Sequence, residues 1–473
     1  MVTAPPPAGR PATSPVTTLR WPALVVMCAT IFGSVTQASM SSLALPDIQK
    51  DFGVAPDDLS WVVTAYLIPF ATGTVIYGRL ADMFGSKRMY IFGMVVFTAA
   101  SFLVAAADSF GLIVAARVLQ GAGGTAVPAM SLATIIRTTA PLDRGRAMGA
   151  TVLAVGLGFA TGPILGGLLV DAAGWRAPFL ATGVLGILLT PVAMALVPRV
   201  PGVGGQRFDF AGAVFCSAAV TGAVIAINRL PAHPSDLLGL GGVAVALPAA
   251  ALLVWRVRTA AQPFINREIA ANARFWGLSA LGFAAQGSHF AVIVLIPLIL
   301  VRLHGVSTVE AGLYLLPGAI AIAAFGMIGG VLLNRLGSRL LLVGGSLILF
   351  AGCFLGHVVA VGWAPVGIAA LYVVVAAGYG LVQAAVISAA TGALPERLAG
   401  VGSGTFNLVF FLGGAVTVAL SGAILRRRQG VTEGWNPLFS GDASAFSDAM
   451  LVAVGVTLVG ALLAWRFAPR RLR

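Results

Sequence analysis

Two long apolar stretches of the chain are joined by Gly78-Arg79-Leu80-Ala81-Asp82-Met83-Phe84-Gly85-Ser86-Lys87-Arg88. The pattern returns from Gly330 to Arg339 as Gly-Val-Leu-Leu-Asn-Arg-Leu-Gly-Ser-Arg, again between apolar stretches. Both copies hold two glycines seven residues apart, and Asp82 corresponds to Asn334 in the second copy. A short basic turn repeated at the same place in two halves predicts a transporter built from two related membrane bundles.

The composition assigns the chain to the membrane. Hydrophobic residues make up 58% of the 473 residues and charged residues 10%, whereas soluble domains are about half apolar and about a quarter charged. The net charge is +13, but the cations lie in short loops between apolar runs. This favours anionic lipid headgroups over nucleic acid as their partners. The three cysteines are predicted to pack in apolar spans rather than to hold a metal, and no cofactor is expected.

Fourteen apolar runs approach or exceed the roughly 20 residues that a helix needs to cross the hydrocarbon. These runs are residues 22–43, 59–79, 89–108, 111–132, 147–170, 177–197, 210–229, 237–255, 276–301, 309–333, 340–361, 365–389, 402–425 and 448–467. The predicted fold class is therefore an all-α polytopic membrane protein with 14 transmembrane helices.

The distribution of cations predicts the orientation. An even number of spans puts both termini on one side, and 21 of the 29 Lys and Arg residues then fall on that side. The positive-inside bias makes it the cytoplasmic side of the inner cell membrane. The exception is the cluster from Arg426 to Arg428, which is predicted to lie outside. It either pairs with Glu433, Asp442 or Asp448, or indicates that the thirteenth span is misdrawn.

The repeat divides the spans into two pseudo-symmetric six-helix bundles with two inserted central helices between them. The predicted units are a disordered cytoplasmic tail (1–20), an N-terminal bundle (21–197), a linker (198–208), the inserted pair (209–258), a linker (259–275), a C-terminal bundle (276–468) and a basic tail (469–473).

Three further motifs lie on predicted spans. They are Trp61-Val62-Val63-Thr64-Ala65-Tyr66-Leu67, Arg117-Val118-Leu119-Gln120-Gly121-Ala122-Gly123-Gly124 and Gly158-Phe159-Ala160-Thr161-Gly162-Pro163-Ile164-Leu165-Gly166-Gly167. With the basic turn they stand in the order found in the fourteen-span drug:proton antiporter family of major facilitator transporters, which the chain resembles from about Trp21 to Trp465. The resemblance implies a major facilitator fold and multidrug efflux by alternating access.

Several motif residues are candidates for conformational gating. Gly78 and Gly85 permit a tight turn, and Asp82, near a helix N-terminus, can accept hydrogen bonds from arginines. The turn with Lys87 and Arg88 is then either a cytoplasmic latch or a static charged turn that only sets topology.

In span five, Pro163 invites a kink, and small residues form a smooth face. Its members are Gly158, Gly162, Gly166 and the neighbouring Gly167. The resemblance implies that this face packs against the other bundle and limits leakage; ordinary helix packing is the alternative.

Span one departs from the family pattern. The family carries an aspartate shortly before an Ala-Leu-Pro, but this chain has Gln37 before Ala44-Leu45-Pro46. All 16 acidic residues fall at span ends or in loops. Intramembrane carboxylates are the usual proton carriers, and glutamine does not titrate, so a proton carrier is missing from span one.

Two ionisable residues lie well inside spans. Arg117 and Gln37 have similar predicted depth and could face each other across the first bundle. Arg117 either binds an anionic or polar substrate group or is a structural hub satisfied by Gln37, Gln120 and carbonyl groups. His289 is either a hydrogen-bonded structural residue or the proton-coupling group. Further candidates for the cavity lining are Tyr66, Gln383 and Asn407.

The sequence predicts a secondary transporter that exports amphipathic small molecules, with protons as a possible coupling ion. The alternative within transport is an uncoupled facilitator or a mover of lipids or anionic amphiphiles. An enzyme is not expected, because no Ser/His/Asp set, metal-ligand spacing or phosphate-binding glycine loop is present. A transporter-like sensor would need a soluble signalling domain, and none is predicted.

Overall fold

The computed structural model describes residues 20–41, 43–54, 56–202, 208–230, 234–358, 360–395, 398–428, 431 and 434–469. Within these residues the regular structure is helical. The helices are α1 (Trp21–Met40), α2 (Leu45–Phe52), α3 (Pro56–Phe84), α4 (Ser86–Ala105), α5 (Phe110–Gly124), α6 (Ala126–Thr138), α7 (Pro141–Ala173), α8 (Ala177–Leu196), α9 (Phe210–Arg229), α10 (Leu237–Thr259), α11 (Arg267–Ala271), α12 (Ala273–His304), α13 (Thr308–Leu336), α14 (Ser338–Val358), α15 (Pro365–Thr391), α16 (Ala399–Arg428) and α17 (Asp442–Phe467). Residues 1–19 and 470–473 of the predicted tails, residues 203–207 of the first linker and Glu433 lie outside the described residues.

The predicted number of spans is confirmed. Thirteen segments are long and apolar enough to cross a membrane, and α7 supplies a fourteenth as two segments that meet at 41°. The segments are Arg146–Phe159 and Thr161–Ala173. Pro163 explains the bend, because it has no N–H to donate to the carbonyl four residues earlier.

The spans form two six-helix bundles. In the first, α1 packs along α7 and α8, while α4 packs along α5 and α8. In the second, α12 packs along α15, α16 and α17, and α14 packs along α15 and α17. The bundles meet along two seams, one between α7 and α13 and one between α3 and α16. This is the predicted major facilitator architecture.

The inserted helices are central in the sequence but peripheral in the structure. Helix α9 lies against α3 and α16, and therefore against both bundles, whereas α10 packs mainly on α9. Only Gly239, Gly242 and Ala249 of α10 are buried. Gly242 allows the pair to approach closely, because a Cβ atom at this position would lie 2.7 Å from the carbonyl oxygen of Gly222.

A buried carboxylate fastens the inserted pair to the linker that follows it. Asp209 caps α9 by accepting from the backbone N–H of Gly212, and it also accepts from Arg256 Nε and from the N–H of Phe264, each at 3.0 Å. Arg79, from the basic turn, donates to the carbonyl oxygens of Pro263 and Phe264. Burial alone would raise the pKa of Asp209, but the hydrogen bonds from Gly212, Arg256 and Phe264 outweigh it and lower the pKa below the ordinary 3.8.

We expect Asp209→Ala to destabilise this region more than a matched change at Asp236. Asp236 caps α10 in the same way, through the N–H of Gly239, so Asp236→Ala should cost about 1 kcal/mol. Asp209→Ala should cost about 1.5–3 kcal/mol more, because it also removes a charged hydrogen-bond partner of Arg256.

Since the pKa of Asp209 is lowered, the carboxylate stabilises the fold above pH 3.8 and loses this effect as the pH falls through the lowered value. Thermal unfolding in detergent at neutral pH measures the difference; equal losses would contradict the prediction.

Candidate functional site

A cavity lies between the two bundles. It is walled by α1, α6 and α7 of the first bundle and by α13, α15 and α16 of the second. Its volume is about 120 Å³, close to an engineered cavity of about 150 Å³ that binds benzene. The space therefore holds roughly one aromatic ring, and a larger ligand needs the bundles to separate along the seams.

The cavity wall is mostly apolar and aromatic. Two of the predicted residues, Gln383 and Asn407, line it, and so does Thr151, whose hydroxyl already donates to the carbonyl oxygen of Met148. Aromatic side chains on α16 form the other conspicuous part of the wall. They are Phe406, Phe410 and Phe411. None of the described lining residues is charged.

Arg117 is not among the described lining residues of this cavity and lies fully buried in the middle of α5. Its guanidinium donates to the carbonyl oxygen of Val62 at 2.8 Å, to Gln120 Oε1 at 2.6 Å and to Ser41 Oγ at 3.2 Å. It also stacks over the ring of Tyr66, 4.4 Å from the centroid. These acceptors match the structural-hub alternative, with Ser41 in place of Gln37.

Gln37 has a different partner from the predicted one. Its Oε1 atom accepts from the hydroxyl of Thr182 on α8, and none of the hydrogen bonds described for Gln37 reaches Arg117. Its Nε2 atom is buried and lacks a partner among the described residues. The two side chains therefore do not form a pair: Gln37 bonds to Thr182, and Arg117 bonds to Ser41.

His289 lies at the midpoint of α12, inside the second bundle. Its ring stacks on Tyr379, with centroids 4.1 Å apart, and Nε2 is 3.2 Å from the hydroxyl of Tyr372. The hydroxyl of Tyr379 donates to Gln286 Oε1. The Nδ1 atom of His289 is buried with no partner in the described part of the chain. Tyr379 is one helical turn from Gln383, so this cluster lies next to the cavity.

The basic turn forms an ion pair in which the carboxylate is buried and the arginine is partly exposed. Asp82 lies in the last turn of α3, and its Oδ1 atom accepts from Arg137 Nη2 of α6 at 2.6 Å. In this conformation the pair joins two helices of the first bundle rather than crossing a seam. Lys87 is half-buried and Arg88 exposed. Gly78 lies on the α3–α16 seam, since a Cβ atom at Gly404 would be 3.7 Å from its Cα.

The glycine face of α7 packs on α1 of its own bundle, so the expectation that it packs against the other bundle is wrong. A Cβ at Gly158 would lie 3.0 Å from Val35, and one at Gly166 would lie 3.1 Å from the Cα of Met40. Gly162 meets Ser39, and Gly167 approaches Leu43. The seam is formed instead by the face that carries Gly149, where a Cβ would lie 2.5 Å from Met327 of α13.

Gly85 forms a one-residue turn with φ of +91°, and Gly337 of the repeat has φ of +79°. Alanine at either position should cost about 1–3 kcal/mol of backbone strain. Gly85→Ala should cost more than Gly337→Ala, because its Cβ would lie 2.6 Å from the carbonyl oxygen of Val200, whereas nothing lies within 4 Å at Gly337. Melting temperatures of the two purified variants measure this, and a larger loss at Gly337 would contradict it.

Sequence reasoning missed Arg137 as the partner of Asp82 and the tyrosines around His289. Tyr372 and Tyr379 stand seven residues apart, which places them on one face of a helix, so a signal was present. That this face meets α12 depends on packing between distant segments.

A family model of the Major Facilitator Superfamily matches residues 27–418. The cephamycin export protein CmcT of Amycolatopsis lactamdurans is 30% identical over 416 residues, covering 84% of this chain and 83% of that protein. The tetracenomycin C resistance and export protein of Streptomyces glaucescens is 29% identical over 423 residues, covering 87% and 77%. The riboflavin transporter RibZ of Clostridioides difficile (strain 630) is 26% identical over 321 residues, covering 68% and 69%.

Among solved structures, the human organic anion transporter MFSD10 superposes with a TM-score of 0.67 over 94% of this chain and 99% of that one. At 14% sequence identity this likeness shows the shared fold alone. The family model, the export proteins and the fold agree with the motifs along the chain. The chain is thus a multi-pass membrane transporter of small molecules rather than an enzyme, and it belongs to the Major Facilitator Superfamily.

Proposed function

We propose that the protein exports amphipathic small molecules across the cytoplasmic membrane by alternating access, with both termini on the cytoplasmic side. The observation that carries the proposal is the aromatic-walled cavity to which both bundles contribute. Relatives named as export proteins support the direction, and the excess of cations in alternate loops supports the orientation. The exposed basic loops would contact anionic headgroups.

The moving units are residues 21–197 and 276–468. Rocking of these bundles would open the cavity to one side at a time, with contacts breaking and forming along the two seams. The inserted pair, residues 209–258, would travel with the first bundle, because Arg79 at the end of α3 holds the linker after α10. Of the remaining segments, 198–208 would join parts that travel together, and 259–275 would be the linker that accommodates the motion.

Proton coupling is assigned to His289 in this proposal. The aromatic stack excludes water from the imidazole, so proton uptake requires a conformation that exposes the ring. The groups that face it are the phenols of Tyr372 and Tyr379 from α15, and none of its described contacts is an acid. Binding a proton would thereby be tied to rearrangement of α12 against α15. Gln37, Arg117, Gln120 and Tyr66 would support the first bundle rather than carry the proton.

Proteoliposomes with an internal pH dye test this coupling. A panel of cationic, neutral and anionic amphiphiles is added outside, and both flux and proton movement are recorded. We expect substrate-driven proton movement in the parent protein and its loss in His289→Gln, with downhill substrate flux retained. Gln49→Leu, on the short helix α2, is the control. Proton movement that persists in His289→Gln would reject the assignment.

The second candidate is an uncoupled facilitator or a mover of lipids and anionic amphiphiles. The uncoupled facilitator is favoured by the absence of a titratable side chain among the described lining residues of the cavity. Substrate flux with no proton signal in the parent protein, unchanged when the proton gradient is collapsed, would select this candidate.

A further inference from the structure

The wall of the cavity has only a small capacity for polar contacts. Thr151 is engaged with the carbonyl oxygen of Met148 at 2.7 Å, which leaves the carboxamides of Gln383 and Asn407 as the free polar side chains of the described wall. The Oε1 atom of Gln383 is buried and accepts no hydrogen bond from any described residue. A buried acceptor without a donor is unfavourable, so a ligand that supplies an O–H or N–H group is favoured here.

An aromatic ladder continues from the wall across the α3–α16 seam. Phe406 stacks on Phe410, with centroids 5.7 Å apart, and Phe410 meets Phe411 edge-on at 5.5 Å. Phe411 then meets Phe70 of the first bundle edge-on at 5.3 Å. Offset-stacked and edge-on geometries are the ones aromatic pairs prefer. A planar aromatic ligand in the cavity can therefore stack on, or meet edge-on, the phenylalanine rings of its wall.

The electrostatics of the wall exclude charged ligands. An ammonium or a carboxylate group moved from water into this wall would meet no described counter-charge. Burying an unpaired charge costs far more than one neutral hydrogen bond returns. The uncharged wall thus disfavours charged ligands, whereas Gln383 favours ligands that donate a hydrogen bond.

We propose that the cavity selects neutral, planar aromatic molecules that donate a hydrogen bond to Gln383, and that it rejects permanent cations and carboxylates. This inference rests on the proposed function, because the ligands it names would be the substrates of the proposed exporter. Its claim about binding is separate from direction and coupling and can be tested without transport.

The test uses the full-length protein in lipid nanodiscs and four probes on one scaffold. They are a phenol with one aromatic ring, its O-methyl ether, a quaternary ammonium derivative and a carboxylate derivative, because the cavity of about 120 Å³ holds roughly one ring. Quenching of tryptophan fluorescence, confirmed by calorimetry, gives the affinities. We expect the hydroxy form to bind about tenfold more tightly than the ether, as one hydrogen bond would produce. We expect both charged forms to bind at least a hundredfold more weakly.

Two variants link this preference to Gln383. Gln383→Leu should remove the tenfold preference for the hydroxy form over the ether while leaving ether binding in place. Gln383→Glu should admit the quaternary ammonium form. Gln49→Leu makes the same side-chain change in α2, outside the cavity, and should preserve the order of affinities.

Several outcomes would overturn the inference. They are tighter binding of a charged form to the parent protein, an unchanged preference in Gln383→Leu, or no binding of any probe.

Flux in proteoliposomes separates this inference from the proposed function. If the hydroxy form binds with the expected preference but is never transported, the export proposal fails and the selectivity of the cavity stands. If only the cationic form is transported, export stands and the selectivity fails.

Discussion

Replacing Arg117 with lysine is expected to destabilise the first bundle by about 3 kcal/mol or more, even though the positive charge is kept. The guanidinium donates in three directions, to Val62, Gln120 and Ser41, and it lies flat over Tyr66. An ammonium is a point charge that cannot reproduce this fork or the stacking. Losing two hydrogen bonds to a charged group, at about 1.5–3 kcal/mol each, sets the size of the effect.

Arg176→Lys is the matched control, because Arg176 also stacks on an aromatic ring, 4.2 Å from the centroid of Trp175. Its side chain is 44% exposed, and its ion pair with Asp51 spans 3.7 Å. Water can hydrogen-bond to the groups that the lysine no longer reaches. We therefore expect the free energy of unfolding to fall by less than about 1 kcal/mol. Thermal unfolding in detergent compares the two variants. A stable Arg117→Lys protein that has lost binding of anionic probes would instead assign Arg117 to substrate recognition.

The second large effect is expected at Asp448, at the end of the molecule opposite the basic turns. Its side chain is fully buried and accepts from Arg428 Nε at 2.8 Å and from the N–H of Trp435 at 3.1 Å. One predicted pairing of the arginine cluster, Arg428 with Asp448, is therefore present, and α16 extends through the cluster to Arg428, beyond the predicted end of the thirteenth span at residue 425. Asp448→Asn removes the charge that compensates a largely buried arginine and should cost about 3 kcal/mol, the lower end for a broken buried pair. The lower end applies because Arg428 is 19% exposed.

The exposed pair between Asp143 and Arg146 provides the control for Asp448. The atoms are 3.8 Å apart and both side chains are more than 60% exposed, at 63% and 67%. Asp143→Asn should therefore change the free energy of unfolding by less than about 1 kcal/mol. Protease sensitivity of the loop before α17 gives a second measurement, because Asn436 also ties this loop to the carbonyl oxygen of His357. Equal stability of the two variants would refute the structural importance of Asp448.

The repeated glycines illustrate what local sequence can predict. Gly85 and Gly337 stand at matching places in the repeat, and both adopt a positive φ that other residues rarely adopt. The turn is a property of the backbone at one residue, so the sequence pattern identified it without knowledge of the fold. The kink near Pro163 was predictable for the same reason.

The partners of buried polar groups were harder to predict. Gln37 and Arg117 were predicted to lie at similar depth, which suggested a contact, yet Thr182 and Ser41 are their partners. Depth in a helix follows from residue number, but the direction of a side chain around the helix axis follows from packing. A rotation of one helix by a single residue changes the partner completely.

By itself, the sequence determined the membrane class, the fourteen spans, the two-fold repeat and the superfamily. These depend on composition and on short motifs, which act within one helix or one turn. The tertiary structure alone decided that the glycine face of α7 meets α1, that Asp82 pairs with Arg137 and that the predicted Tyr66 is not among the described lining residues of the cavity. Contacts between segments far apart in the sequence are set by helix rotation and close packing of small residues, and no local pattern specifies those.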